Sequence, residues 1–177
     1  MAKTKWNVDP AHTTLEFSVR HMMISKVKGT FHDFEASVEA DPEDLTTADI
    51  RFSVDTASID TRNKDRDAHL KGEDFFDVEK YPKMTFQSTD IVKKGGGEYE
   101  VTGDLTIRDT TRPVTFTVTF EGQGKSPWGQ EVVGFSGKGT LNRSDFGLKW
   151  NAPLETGGVL VGDEVNISIE LEATKEA

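Results

Sequence analysis

The chain has 177 residues, 34% of them hydrophobic and 29% charged, with a formal net charge of −10 and no cysteine. This length suits a single domain with a substantial core, and the missing thiols exclude disulfides, thiolate metal sites and cysteine catalysis. No apolar run approaches the ~18 residues of a membrane span, and the acidic balance disfavours nucleic acid and anionic lipid surfaces as general partners.

In chain order, Met1-Ala2-Lys3-Thr4-Lys5-Trp6 runs directly into strand-like sequence with no apolar signal region, so a cytoplasmic location is expected. Leu15, Phe17 and Val19 alternate with Glu16, Ser18 and Arg20, the period-two mark of a strand with one apolar face. Phe34, Ala36 and Val38 form a second run. The opposite parity of Phe31 and Phe34 predicts a bulge near Asp33. Ile50, Phe52 and Val54 make a third run after the turn signal Asp41-Pro42.

Residues 56–82 break the pattern. Asn63 is a candidate helix N-cap, Gly72 a candidate C′ residue, and Pro82 restarts extended chain. The charged stretch from Arg66 to Asp77 reads as a short helical insert between strands three and four, covering one end of whatever the strands build.

Alternation then resumes at Met84-Phe86, at Val101-Leu105-Ile107, and at Val114, Phe116, Val118 and Phe120. It continues at Val133-Phe135-Leu141 and ends at Val165, Ile167, Ile169 and Leu171. Turn signals at Gly95-Gly96-Gly97, Ser126-Pro127 and Gly157-Gly158 separate these runs. About eight strands with short connections predict an all-β fold, an eight-stranded antiparallel up-and-down barrel with one helical insert. A β-sandwich is the competing architecture.

Inward parity gathers Phe17, Val19, Phe34, Phe52, Phe86, Leu105, Phe116, Phe120 and Phe135 into a candidate lumen. A core packed solid and an apolar tube for a chain-like ligand give the same alternation, so both stay open. Up-and-down order also sorts the connections. Those at 22–28, 56–82, 108–112 and 142–162 fall at one end, and those at 40–47, 93–98 and 122–130 at the other with both termini. Arg62, Arg66, Arg108, Arg112 and Arg143 all lie at the first end, with Arg20 close by. Arginine grips carboxylate or phosphate bidentately. His21, Arg66, His69, Arg108, Arg112 and Arg143 therefore form a candidate head-group site, against the plain alternative of ion pairs with Asp67, Asp109 and Asp145.

The four histidines His12, His21, His32 and His69 show no metal-binding spacing, so no metal or cofactor is expected. No nucleophile elbow occurs, and the glycines of 134–140 lack the order of a phosphate loop.

Several blocks carry a family resemblance: Trp6-Asn7-Val8-Asp9-Pro10-Ala11-His12, Phe17-Ser18-Val19-Arg20-His21-Met22 and Val27-Lys28-Gly29-Thr30-Phe31. Others are Arg66 to Phe76 with Tyr81-Pro82, Gly103 to Arg108 with Thr111 to Val114, and Asn142 to Gly147. Across essentially its whole length the chain resembles the YceI-like family, lipocalin-like barrels associated with polyisoprenoids or other long-chain lipids. The resemblance implies an extended antiparallel barrel around an apolar tunnel, usually a homodimer, with no established catalysis. Many relatives look periplasmic, and the absence of a signal region here departs from them. The leading expectation is a non-catalytic carrier of a long-chain amphiphile, isoprenoid or fatty acyl. Two alternatives stand beside it: an enzyme acting on a lipid-like substrate with His21 or His69 as general base, and a stress-related interaction module with a packed core.

Overall fold

The structure, a computed structural model, describes residues 3–22, 24–41, 43–151 and 161–176. Pro42 and the turn expected at Gly157-Gly158 lie outside them. Eleven strand segments form one antiparallel sheet: β1 (Thr4–Val8), β2 (Thr14–His21), β3 (Ser25–Phe31), β4 (Phe34–Asp41), β5 (Asp44–Asp55), β6 (Ile59–Asp60), β7 (Lys83–Gly95), β8 (Glu98–Ile107), β9 (Thr110–Lys125), β10 (Glu131–Asn142) and β11 (Val161–Lys175).

The sheet closes on itself because β1 pairs with both β4 and β11. β1 with β2, β3 with β4, and β5 with β6 each share one wall, so the eleven segments make eight walls of a closed barrel. Closure leaves few unpaired edges and favours the barrel over the sandwich. A short 3₁₀ turn at Pro10–His12 splits the first wall. His32 and Asp33 split the second, so the parity change between Phe31 and Phe34 is a break between two segments. There the Asp55 amide donates to the Asp33 carbonyl at 2.9 Å.

The strands hold their register because apolar side chains face inward and polar ones outward. Along β9, Val114 and Phe116 are buried while Thr115 and Thr117 are exposed. The exposed threonines pair across strands, Thr115 with Thr102 at 2.8 Å. Gly95, Gly96 and Gly97 take positive φ at the β7–β8 turn, where side chains would be strained.

The insert between β6 and β7 contains α1 (Lys64–Lys71), which begins two residues before Arg66. The Asn63 side chain caps it, accepting from the Arg66 amide at 3.0 Å. Gly72 ends it, but in an extended conformation (φ −84, ψ −177) rather than the left-handed one expected of a C′ glycine. No residue of α1 is fully buried; Leu70 packs against the Leu15–Phe31 cluster, and Arg66 ties the helix to Thr61. Thr56, fully buried at the neck, donates to the Tyr81 carbonyl at 2.9 Å and joins the two ends of the insert.

Candidate ligand-binding cavity

The barrel is not packed solid. A cavity of about 760 Å³ runs through it, walled from β1 to β11 by inward-facing side chains. Phe17, Val19, Phe52, Phe86, Leu105, Phe116, Phe120 and Phe135 all stand on this wall, as the alternation predicts. Phe34 does not. It packs on Phe52 with ring centres 6.4 Å apart, in the apolar cluster of Leu15 and Phe31 beside the wall break.

Three of the rings leave room because they lie over glycines. A Cβ added at Gly29 would stand 2.3 Å from the Phe17 ring, one at Gly103 2.4 Å from Phe86, and one at Gly139 2.5 Å from Phe116. Each of these rings rests where a neighbouring side chain would otherwise be, Phe17 and Phe86 by the ring tip and Phe116 by the ring's side. This is the signal that alternation alone misses.

At the end carrying the insert, the wall changes chemistry. His21 from β2, Arg66 and His69 from α1, and Arg143 after β10 join it there, with Leu70, Phe75 and Phe76. Phe31 and Trp150 also line it, and neither was assigned to a lumen from sequence. Trp150 belongs to an irregular connection with no periodicity to reveal it. His69 and Trp150 meet edge-on at 4.6 Å, Phe75 lies 5.6 Å from Trp150, and together they form an aromatic cover.

The basic groups at this mouth differ in what they have left to offer. Arg66 donates through Nε to the Thr61 hydroxyl at 2.8 Å and through a terminal nitrogen to the Thr61 carbonyl at 2.6 Å. Arg143, only 3% exposed, commits three of its nitrogens to the carbonyls of Gly162, Leu148 and Val161 at 2.9, 2.7 and 3.3 Å. Burial pushes its guanidinium below arginine's ordinary value, and Asp163 at 3.8 Å partly offsets this. His69 is bonded to the exposed Asp74 at 3.0 Å.

Arg108 and Arg112 are not on the cavity wall, which corrects the head-group set read from sequence. Arg108 stacks 5.5 Å over the Tyr81 ring and donates to the carbonyls of Glu73 and Phe75. Arg112 donates to the Asp145 carbonyl at 3.3 Å. Backbone carbonyls outbid solvent for both, so these arginines brace the connections around the mouth. Backbone strain gathers at the same end. Met22, Arg62, Asp77 and Arg108, the non-glycine residues of positive φ among those described, all sit in its connections. Such strain is held where surrounding structure over-determines it, commonly at functional sites.

A YceI-like domain model matches residues 6–173. The chain belongs to the YceI-like domain family. A UPF0312 protein of Staphylococcus epidermidis is 43% identical over 170 residues, 96% of each chain. One from Staphylococcus aureus is 42% identical over the same span, with the same coverage. Among solved YceI-like and related structures, BcnA of Burkholderia cenocepacia superposes with a TM-score of 0.82 at 31% identity, over 94% of this chain and 99% of that one. A polyisoprenoid binding domain from Saccharophagus degradans reaches a TM-score of 0.69 at 11% identity, over 97% and 98%. At that identity the likeness shows the fold alone.

Among the described residues, one group of possible metal ligands lies away from the cavity mouth of this YceI-like barrel. Asp9, His12 and Glu172 hold their donor atoms within 4.8 Å of one another at the split in the first wall. Sequence spacing missed this group because Glu172 is remote in the chain. His12 and Asp9 already satisfy each other at 2.7 Å, and Asp9 also caps the Ala11 amide. The hydrogen bond from His12 holds the Asp9 carboxyl below its ordinary value, and the same bond, with Glu172 nearby, raises His12.

Proposed function

We propose that the protein is a non-catalytic carrier of a long-chain amphiphilic lipid, polyisoprenoid or fatty acyl. The tail lies in the barrel, and the polar head meets His21, Arg66, His69 and Arg143. One observation carries this reading: a 760 Å³ cavity with an apolar wall whose basic groups gather at one end. A tail burying about 300 Å² at ~25 cal/mol per Å² gains about 7.5 kcal/mol. That is the main source of affinity once the cost of lost freedom is met. The polyisoprenoid binding domain of Saccharophagus degradans shares the fold, so the architecture is compatible with a ligand of this class. In this reading the carrier works in the cytoplasm as a homodimer.

Native mass spectrometry of the purified protein, followed by organic extraction, is the test. The expected result is a co-purifying lipid, or stoichiometric uptake of added polyprenyl or fatty acyl ligand. Repeated absence of both sinks the reading. The His69–Asp74 pair favours a second reading, an enzyme with His69 as general base. His69→Ala abolishing turnover of a lipid substrate is its required result.

A further inference from the structure

Among the described residues four large apolar side chains are exposed: Met22, Ile24, Val92 and Trp128. Two of them, Met22 and Ile24, share the turn between β2 and β3, directly after Arg20 and His21 of the cavity wall. Ile24 is 81% exposed. The tip is built rather than loose. His21 pairs with Ser25 and Arg20 with Lys26, and the Ile24 amide donates to the His21 carbonyl at 3.2 Å. Met22 is held there at φ 53, a conformation unfavourable for its side chain. A sheet turn that keeps isoleucine and methionine in water works against the hydrophobic effect unless something covers them.

Charge indicates what covers them. The chain carries a net −10, yet from Ser18 to Phe31 it has no acidic residue. Arg20, Lys26 and Lys28 are all exposed on this hairpin. Of the described acidic groups at this end, Asp67 bonds Thr61, Asp74 bonds His69 and Asp60 bonds His32, while Asp65 lies on the cavity wall rather than on the hairpin. An apolar tip flanked by basic side chains matches the boundary of an anionic bilayer, where acyl chains take the tip and head groups the cations.

We propose that the β2–β3 hairpin docks the cavity mouth on an anionic phospholipid bilayer. Met22 and Ile24 enter the acyl boundary while Arg20, Lys26 and Lys28 meet the head groups. The lipid then passes between membrane and lumen without crossing water. The docking itself stands on the hairpin; its purpose rests on the carrier reading.

The test is co-sedimentation of ligand-free protein with vesicles of phosphatidylcholine alone and of phosphatidylcholine mixed with phosphatidylglycerol. Binding is expected to the mixed vesicles, to weaken as salt rises, and to fall about tenfold or more in Ile24→Glu. Because Ile24 is exposed, the variant is expected to keep its thermal midpoint. Wild-type protein that sediments with neither vesicle overturns the proposal, as does an Ile24→Glu variant that sediments like wild type. If Ile24→Glu turns a dimer into a monomer without changing sedimentation, the patch serves a second copy and the proposal fails. Uptake of a fluorescent fatty acyl probe from a water-miscible solvent separates the two readings. Docking without uptake removes the carrier and leaves the docking; uptake without docking does the reverse.

Discussion

Phe116 lies against Gly139, its direct partner across β9 and β10, with the side of the ring where a side chain on residue 139 would begin. Phe17 and Gly29 repeat the relationship across β2 and β3. The bore therefore depends on two residue types at once, a large flat ring and the one residue that lets it lie down.

Gly139→Ala is expected to force the Phe116 ring into the lumen. Overpacking of this kind destabilises by about 1–3 kcal/mol, and lipid uptake should fall with the lost volume. Phe116→Leu in the same background should recover part of both. Urea unfolding and uptake measured on the single and double variants check this; an alanine that changes neither quantity refutes the role given to the glycine.

Arg143 is expected to matter for stability more than for recognition. Replacing it with methionine leaves the carbonyls of Gly162, Leu148 and Val161 without their donor, at a cost of about 3 kcal/mol. Lysine, lacking the planar fork, should rescue little of it. Thermal unfolding of both variants decides the point.

Arg66 has donors to spare beyond Thr61, so it is the better probe of head-group recognition. Arg66→Gln should weaken binding of lipids with an anionic head while leaving neutral lipids of the same tail nearly unchanged. Equal responses from the two lipid sets would refute charge recognition at this mouth.

The Asp9–His12 pair predicts a pH window for stability. His12 is raised above its ordinary 6.5, so its contribution is complete below that value and disappears as pH rises through the folded value. Asp9 is lowered below its ordinary 3.8, so its contribution is complete above that value and is lost as pH falls through the folded value. Asp9→Asn keeps the cap and removes the charge. The stability difference from wild type should peak at about pH 5 and shrink on both sides. Urea midpoints across that range measure it, and a difference flat with pH counts against the pair.

The sequence carried the strand order, the division of connections between two ends and the insert, because alternation and turn residues are local signals. It did not carry the openness of the lumen. Phe116 reads the same over glycine or over leucine until the β9–β10 register is known. The fate of each arginine was hidden for a similar reason. All four donate to backbone carbonyls, yet only Arg66 and Arg143 also reach the cavity; the carbonyls that hold Arg108 and Arg112 lie in other connections. Trp150 and Glu172 were missed because each finds its partners only through the fold.

Trp6 pairs with Lys175, so β1 and β11 run side by side at the pole opposite the aromatic cover. A fluorophore, affinity handle or surface linker attached near either chain end would therefore hold the barrel from behind. Immobilised that way, every molecule would present its basic mouth to the solution. Capture experiments with vesicles or extracted lipid could then be run on an oriented layer.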